Sequence, residues 1–522
     1  MPFEVPSEPW HRSLAGIILA VIVLPPLGLV LIWMRKDTET GKKLFGSLAA
    51  LALSGIYLFL FFGSGMFLAR PDPDSESHYA DLERQRAEQR QGGLAQASPA
   101  GTDVDQKAET LAPGVAGTSA SAPATAAQPA TPAKSDQNYW TDFRGPARDG
   151  RYDEKPIRTD WPSEGLHPVW KQLIGGGYAS FVIAEGKAFT IEQRRRQEIA
   201  AAYDLETGRE IWTQGWQADF KESMGGDGPR ATPTWDAGRL YVLGAQGDFL
   251  CLEAQTGKQY WAKNILRENG AENLQWGMAA SPLIVDDKVV VLPGGPSGKS
   301  IVAYNKLTGA PVWRALGDRQ AYVSPMLVTL AGKRQIVVVT ANRIVGLGPD
   351  DGSLLWQTGW DTQMGINISQ PIIVDANHFF ISSGYGKGAA LVEISGNGGT
   401  MSARKAWENT SMKNKFNSSV LSDGYVYGLD EGILSCVDVK TGERKWKGGR
   451  YGYGQVILAS GHLIVTSDTG ELALVKATPD QYVEVVKFQA LEGKTWNYPA
   501  IANGRLLVRN QTEMACFDIS GR

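Results

Sequence analysis

"AAYDLETGREIW" (Ala201–Trp212) places an acid, a Thr-Gly pair and a tryptophan within a dozen residues. The text returns as "LCLEAQTGKQYW" (Leu250–Trp261), "VAYNKLTGAPVW" (Val302–Trp313) and "SCVDVKTGERKW" (Ser435–Trp446), and more loosely as "VGLGPDDGSLLW" (Val345–Trp356). It is therefore one copy of a repeat. The tryptophans that close the copies are Trp170, Trp212, Trp261, Trp313, Trp356, Trp407 and Trp446. They recur at about 40–50 residues, the period of propeller blades or of paired-helix repeats. Composition decides between the two. Segments such as "GRLYVLGAQGDFLCLEAQTG" (Gly238–Gly257) and "RQIVVVTANRIVGLGPDDG" (Arg334–Gly352) alternate with period two, are rich in Val, Ile, Leu and Tyr, and break at glycine. That is strand patterning. Each copy supplies about four strands, which is one propeller blade.

The signature has a mechanical meaning. The acid ending a strand is placed to accept hydrogen bonds from the free amides of the turn. Gly208 takes the positive φ that closes the hairpin, and the next strand carries Trp212 onto the blade surface. There a flat ring buries a large apolar area against the neighbouring sheet. Phe488 stands where one further tryptophan is expected, and Trp407 follows a longer turn. At the front, "HPVWKQ" (His167–Gln172) is a closing strand with no blade before it; at the back, the last copy reaches Asp518 and stops. Pairing these two fragments leaves no open edge. The expectation is an all-β, eight-bladed propeller of four-stranded antiparallel blades over 138–522, closed by its first and last strands.

A chain of 522 residues with a formal net charge of -3 has no basic field that would gather nucleic acid. The cysteines Cys251, Cys436 and Cys516 occupy one register of the repeat. Equivalent positions in different repeats are too far apart to bridge, so three free buried thiols are expected. The histidines show no metal-ligand spacing, and no metal site is read.

The front of the chain is different. After the opening segment 1–13, Leu14–Met34 and Leu44–Ala69 are almost free of charge. Each is long enough to cross a hydrocarbon layer of about 30 Å, and the expectation for 14–69 is a transmembrane helix hairpin. The loop between them holds Arg35, Lys36, Lys42 and Lys43, which places it in the cytoplasm and everything after Ala69 outside the inner membrane, in the periplasm. Residues 70–137 read as a flexible low-complexity linker, polar and charged to about Arg90, where a short helix fits, then rich in Ala, Pro, Thr, Ser and Gly. As a coil its last 45 residues or so would span roughly 35–40 Å.

The pattern Ala202, Asp204, Thr207, Gly208, Trp212 resembles the pyrroloquinoline-quinone (PQQ) repeat, shared by quinoprotein alcohol dehydrogenases and the outer-membrane assembly factor BamB. The resemblance runs from about Asn138 to the end and includes the leading "YWTDFRGPARDG" (Tyr139–Gly150). The repeat residues hold blades together, so activity must be sought where the innermost strands begin, around the channel mouth. That reasoning nominates Tyr178, Arg230, Trp276, Tyr322, Asn367, Lys415, Asn417, Tyr453 and Trp496. For an enzyme, the resemblance implies PQQ across the channel, calcium on its quinone oxygens, a carboxylate base, and a vicinal disulfide above. Adjacent cysteines are missing, no innermost strand begins with an acid, and the only acids to nominate are Glu222 and Asp227, in the loop just before Arg230. A BamB-like binding or scaffolding module with a protein partner in the envelope suits the residues better, although BamB is held by a lipidated cysteine and none precedes Cys251. A PQQ-dependent dehydrogenase, and a mouth that stacks a saccharide or peptidoglycan fragment, are the alternatives.

Overall fold

The computed structural model describes residues 75–96, 140–397 and 400–521, with a few positions between 32 and 48. Eight sheets follow one another along the chain. The first blade is Val182–Ala184, Lys187–Arg194, Gln197–Asp204 and Glu210–Gln217, each strand antiparallel to the next. Six further blades repeat this order, and the seventh gains a fifth strand, Arg151–Tyr152, parallel to its innermost strand Gln455–Ala459. The eighth blade is shared. Its inner three strands end the chain, and its outermost strand, Pro168–Leu173, comes from the front and pairs with Glu513–Asp518, Trp170 lying opposite Cys516. The ring closes as expected.

The repeat signature does two jobs at each joint. Within a blade, Asp204 Oδ1 accepts from Thr207 N (2.9 Å) and Thr207 Oγ1 (2.7 Å), and Asn305 does the same for Thr308. Between blades, the indole N–H donates to a carbonyl in the next blade's turn. Trp170 reaches Leu205 O (2.9 Å), Trp212 reaches Ala254 O (3.0 Å), Trp261 reaches Lys306 O (3.2 Å), Trp407 reaches Val439 O (2.9 Å) and Trp446 reaches Thr478 O (2.8 Å). Trp313 reaches Pro349 O at 3.3 Å. Trp356 differs: it bonds Gln335 of its own blade and stacks on Phe379 of the next (5.8 Å, 29°). Blade five replaces the Thr-Gly turn with a long hairpin, Gly388–Asn397 and Thr400–Asn409, so the usual carbonyl is not there. At the seventh joint Phe488 packs on Phe517 and Trp161 instead. Each ring contributes roughly 4–6 kcal/mol of apolar transfer as an upper bound.

The turn glycine is held by more than its φ. A methyl group on Gly257 (φ 76°) would sit 2.5 Å from the Trp212 ring, and one on Gly208 (φ 68°) 2.6 Å from Trp170. The indole of one blade packs flat over the glycine of the next. Cys251, Cys436 and Cys516 are free and buried, as expected.

Ahead of the propeller, Ser75–Gln96 forms a helix, α1. Here the structure departs from a tether running through 70–137, because α1 is docked on the propeller: Leu82 and Arg86 are buried, and Arg86 Nη2 donates to Leu173 O (2.6 Å). Among the described residues no helix is long and apolar enough to cross a membrane. The expected spans 14–34 and 44–69 lie almost wholly outside the described residues, as do 97–139.

Two glycines of similar φ separate the roles of turn and ring. A methyl group on Gly238 (φ 79°) would meet nothing within 4 Å, whereas one on Gly257 would run into Trp212. Gly238→Ala should cost about 1–2 kcal/mol from backbone strain alone. Gly257→Ala should cost a further 1–3 kcal/mol or so from overpacking, read as a lower urea midpoint of the whole protein.

Candidate functional site

Antiparallel blades give the ring two faces. The Asp-x-x-Thr-Gly turns lie on one; the connections between blades, and the loops joining second to third strands, lie on the other. Small polar residues that begin the innermost strands stitch the bore together. Ser180 N donates to Thr232 Oγ1 (3.0 Å), Ser281 N to Ser324 Oγ (2.9 Å) and Gln370 N to Ser418 Oγ (2.9 Å), each into the adjacent blade.

The leading segment closes the bore at the turn face. Trp140 O accepts from Ile183 N (2.8 Å), Thr141 O from Trp235 N (2.9 Å) and Gly150 O from Leu458 N (2.8 Å), so the segment spans the ring. Two arginines point inward from it, both with left-handed backbone: Arg144 (φ 64°) and Arg148 (φ 57°). Arg144 Nη2 donates to Ser419 O (2.6 Å) and its guanidinium lies over Tyr498 (5.4 Å). Arg148 donates to Pro325 O (3.0 Å) and to Pro282 O, and pairs with Asp142 (2.8 Å). Burial pushes the Asp142 carboxyl up, against the pull of Arg148. Strained, buried and bonded to several blades, the pair pins the floor of the bore.

At the opposite face the mouth is an aromatic cluster set with cations. Trp496 lies between Tyr178 (5.5 Å, 24°) and Phe416 (5.0 Å, 33°), with Tyr453 edge-on (5.9 Å, 90°). Lys494 Nζ sits over Trp496 (4.7 Å) and donates to Gly225 O (2.6 Å). Lys415 donates to Tyr453 OH (3.2 Å) and lies over Tyr385 (5.2 Å). The Arg230 guanidinium stacks on Phe220 (4.5 Å) and Tyr178 (5.4 Å) while donating to the carbonyls of Gly226 and Gly228. Trp276 and Tyr322 form a neighbouring pair (5.8 Å). Two methionines on connections of this face, Met224 (65%) and Met364 (57%), are exposed.

The nominated residues thus divide. Tyr178, Arg230, Lys415, Tyr453 and Trp496 come together, and Trp276 and Tyr322 stand beside them. Asn367 and Asn417 are buried ties: Asn367 Nδ2 donates to Thr340 O (2.9 Å) and its Oδ1 accepts from Ser383 Oγ (2.9 Å), while Asn417 Oδ1 accepts from Asn414 (2.8 Å). Glu222 and Asp227 serve their own loop, Glu222 accepting from Met224 N (3.0 Å) and Asp227 from Glu222 N (3.1 Å). Phe416, Lys494, Tyr385 and the inward arginines escaped the sequence reading. The "FRGPARDG" run, with an arginine shortly ahead of each of its two glycines, was the available signal for the last of these.

One buried acid supports the mouth from below. Glu198 accepts from Ala245 N (2.9 Å) and Trp216 Nε1 (3.2 Å). Ala245 O in turn accepts from Met278 N (2.9 Å) and Asn273 Nδ2 (2.9 Å), which seats the Trp276 loop. Burial pushes the Glu198 carboxyl up to about 7, despite these hydrogen bonds.

Residues 195–448 match the family model described as "Outer membrane protein assembly factor BamB". This match and the curated relative that follows support a PQQ-like β-propeller family. The outer membrane protein assembly factor BamB of Burkholderia pseudomallei (strain K96243) is 22% identical over 278 residues, which is 46% of this chain and 71% of that protein. Two solved quinohemoprotein alcohol dehydrogenases share the fold of this PQQ-like propeller. ADHIIG from Pseudomonas putida HK5 superposes with TM-score 0.53 at 12% identity, over 74% of this chain and 81% of that one. The Comamonas testosteroni enzyme gives TM-score 0.53 at 13% identity, with the same coverage of 74% and 81%.

A quinone with calcium does not fit the residues of this mouth. Trp496 is already faced by Tyr178 and Phe416, Arg230 is bonded to carbonyls, and Glu222 and Asp227 are occupied in their loop. Among the described residues no three His, Cys, Asp or Glu side chains gather to hold a metal.

Two measurements check this geometry. The folded protein holds the Glu198 proton more tightly than the unfolded chain, whose carboxyl titrates near 4.5. Stability is therefore full below about 4.5 and falls as pH rises to about 7, by on the order of 3 kcal/mol. Urea midpoints across that range should show this fall, and Glu198→Gln should flatten it. Arg148→Ala, which strands Asp142 in the bore, should cost about 3–5 kcal/mol, and adding Asp142→Asn should recover part of it.

Proposed function

We propose that this chain is a membrane-anchored binding module of the bacterial envelope, and that its channel mouth takes a protein partner. The observation that carries the reading is the composition of that rim: Trp, Tyr, Phe and Arg packed into a rigid cluster, flanked by exposed Met224 and Met364. These are the residue types that dominate protein interfaces, since they bury much area at little entropic cost. The ring around them is stiff, so little ordering free energy is spent on association. A scaffold also needs no cofactor, which agrees with a mouth whose residues are engaged with one another. The BamB name of the Burkholderia relative supports an envelope role. The two long apolar runs 14–34 and 44–69, with Arg35, Lys36, Lys42 and Lys43 between them, support anchorage in the inner membrane with the propeller on the periplasmic side.

Photo-crosslinking residues placed at Met224 and Met364 in cells should give one discrete adduct, while the same residue at Leu307, exposed on the turn face, should give none. Trp496→Ala and Lys415→Glu should each weaken capture of that partner at least tenfold, about 1.4 kcal/mol. Adducts of equal strength at Leu307, or saturable PQQ and calcium binding with dye-linked alcohol oxidation, would overturn the reading.

A further inference from the structure

From His78 onward, α1 and the propeller form one compact unit. Nothing in blade geometry requires this helix, and its sequence is polar. What holds it is the chemistry of an edge. Pro168–Leu173 is the outermost strand of the shared blade, so the backbone groups on its outer side face no further strand. Side chains of α1 take that place. Gln85 Oε1 accepts from Leu173 N (3.1 Å), Arg86 Nη2 donates to Leu173 O (2.6 Å), Gln89 Nε2 donates to Gln172 Oε1 (2.8 Å), and a ring nitrogen of His78 meets Ile174 O (2.8 Å). A strand edge that would otherwise invite another chain is covered.

Arg86 reaches past the edge into the first blade. It is 2% exposed, lies over the Tyr203 ring (5.3 Å) and stands 3.5 Å from the Glu210 carboxylate, which Arg194 also binds (2.6 Å). Tyr203 OH donates to the buried Glu192 (2.9 Å), so one side chain of α1 ties the outermost strand of the shared blade to a buried network in the first blade. The contacts run the full height of the rim: Glu83 pairs with Arg195 in a loop of the mouth face, and Arg209 beside the Thr-Gly turn donates to Gln89 O (3.0 Å).

We propose that α1 is a noncovalent latch that fastens the N-terminal part of the chain to the seam of the ring. The stretch 97–139 is then a connection between two propeller-bound anchors, α1 and Trp140, and carries no tethering load. One consequence rests on the membrane reading above. An anchor ending at Ala69 has residues 70–74 before α1, and five residues reach at most about 18 Å, far less than a linker through 137 would allow.

The test cuts the connection. A protease recognition site is inserted between Gly117 and Thr118 of the full chain, which carries an N-terminal affinity tag and is cleaved both in membranes and in detergent. The expected result is that the propeller fragment stays with the tagged fragment and with the membrane pellet after complete cleavage. Arg86→Glu should release it, lowering retention at least tenfold. The substituted residue lies in the other fragment, and an unchanged thermal melt of the released propeller would show that the blades remain folded. Release of the propeller from the unsubstituted protein, or equal retention with Arg86→Glu, would overturn the latch. Retention by the tag with an empty membrane pellet before cleavage would leave the latch standing and sink the membrane reading.

Discussion

The contact on which the structure depends is the one between an indole ring and the next blade's turn. Each ring fills the wedge between two sheets, its N–H satisfied by a turn carbonyl and its face resting on a glycine that has no Cβ to obstruct it. A propeller has no central core, and its blades touch one another along narrow sides. Without a large flat residue there, the twist of each sheet would leave a void that solvent could enter. The same demand explains the exceptions: where the turn is replaced by a hairpin, Trp356 finds its acceptor at home, and where no turn carbonyl is used, Phe488 suffices.

A ring built this way is rigid enough to hold strained and charged groups at its axis. Arg144 and Arg148 are buried guanidiniums in left-handed backbone conformations, arrangements that cost free energy on their own. They persist because carbonyls of several blades converge on them, which only a closed ring provides. The result is a bore with a pinned floor at one face and an aromatic, cationic mouth at the other. The two ends therefore differ in chemistry as well as in shape.

The seam is the place where the ring is sealed by hydrogen bonds between the two ends of the chain. Closure by a terminal strand removes the open edge of the inner sheets yet leaves the outer side of Pro168–Leu173 bare. α1 answers that need with amide and guanidinium side chains instead of an apolar face, and so its docking is specific in register although its sequence is polar. Ring closure and attachment of the N-terminal part of the chain thus meet at one site.

The repeat was legible because it is local. Acid, Thr-Gly and tryptophan sit within a dozen residues, and their spacing alone yields blade number, strand order and shared closure. Buried free cysteines followed from register in the same way. The mouth was legible only in part: strand starts could be counted, which found Tyr178, Lys415 and Trp496, but whether a side chain faces the rim or ties the sheet depends on neighbours far away in sequence. Asn367 and Asn417 turned out to be ties for that reason, and Lys494, a little earlier than a strand-start count would look, joined the mouth. α1 and the inward arginines depended wholly on tertiary structure, since the partners of Arg86 and Arg148 lie about 90 to 180 residues away. Periodic short-range geometry is written into a sequence directly, whereas contacts across a closed ring exist only after closure has brought its parts together.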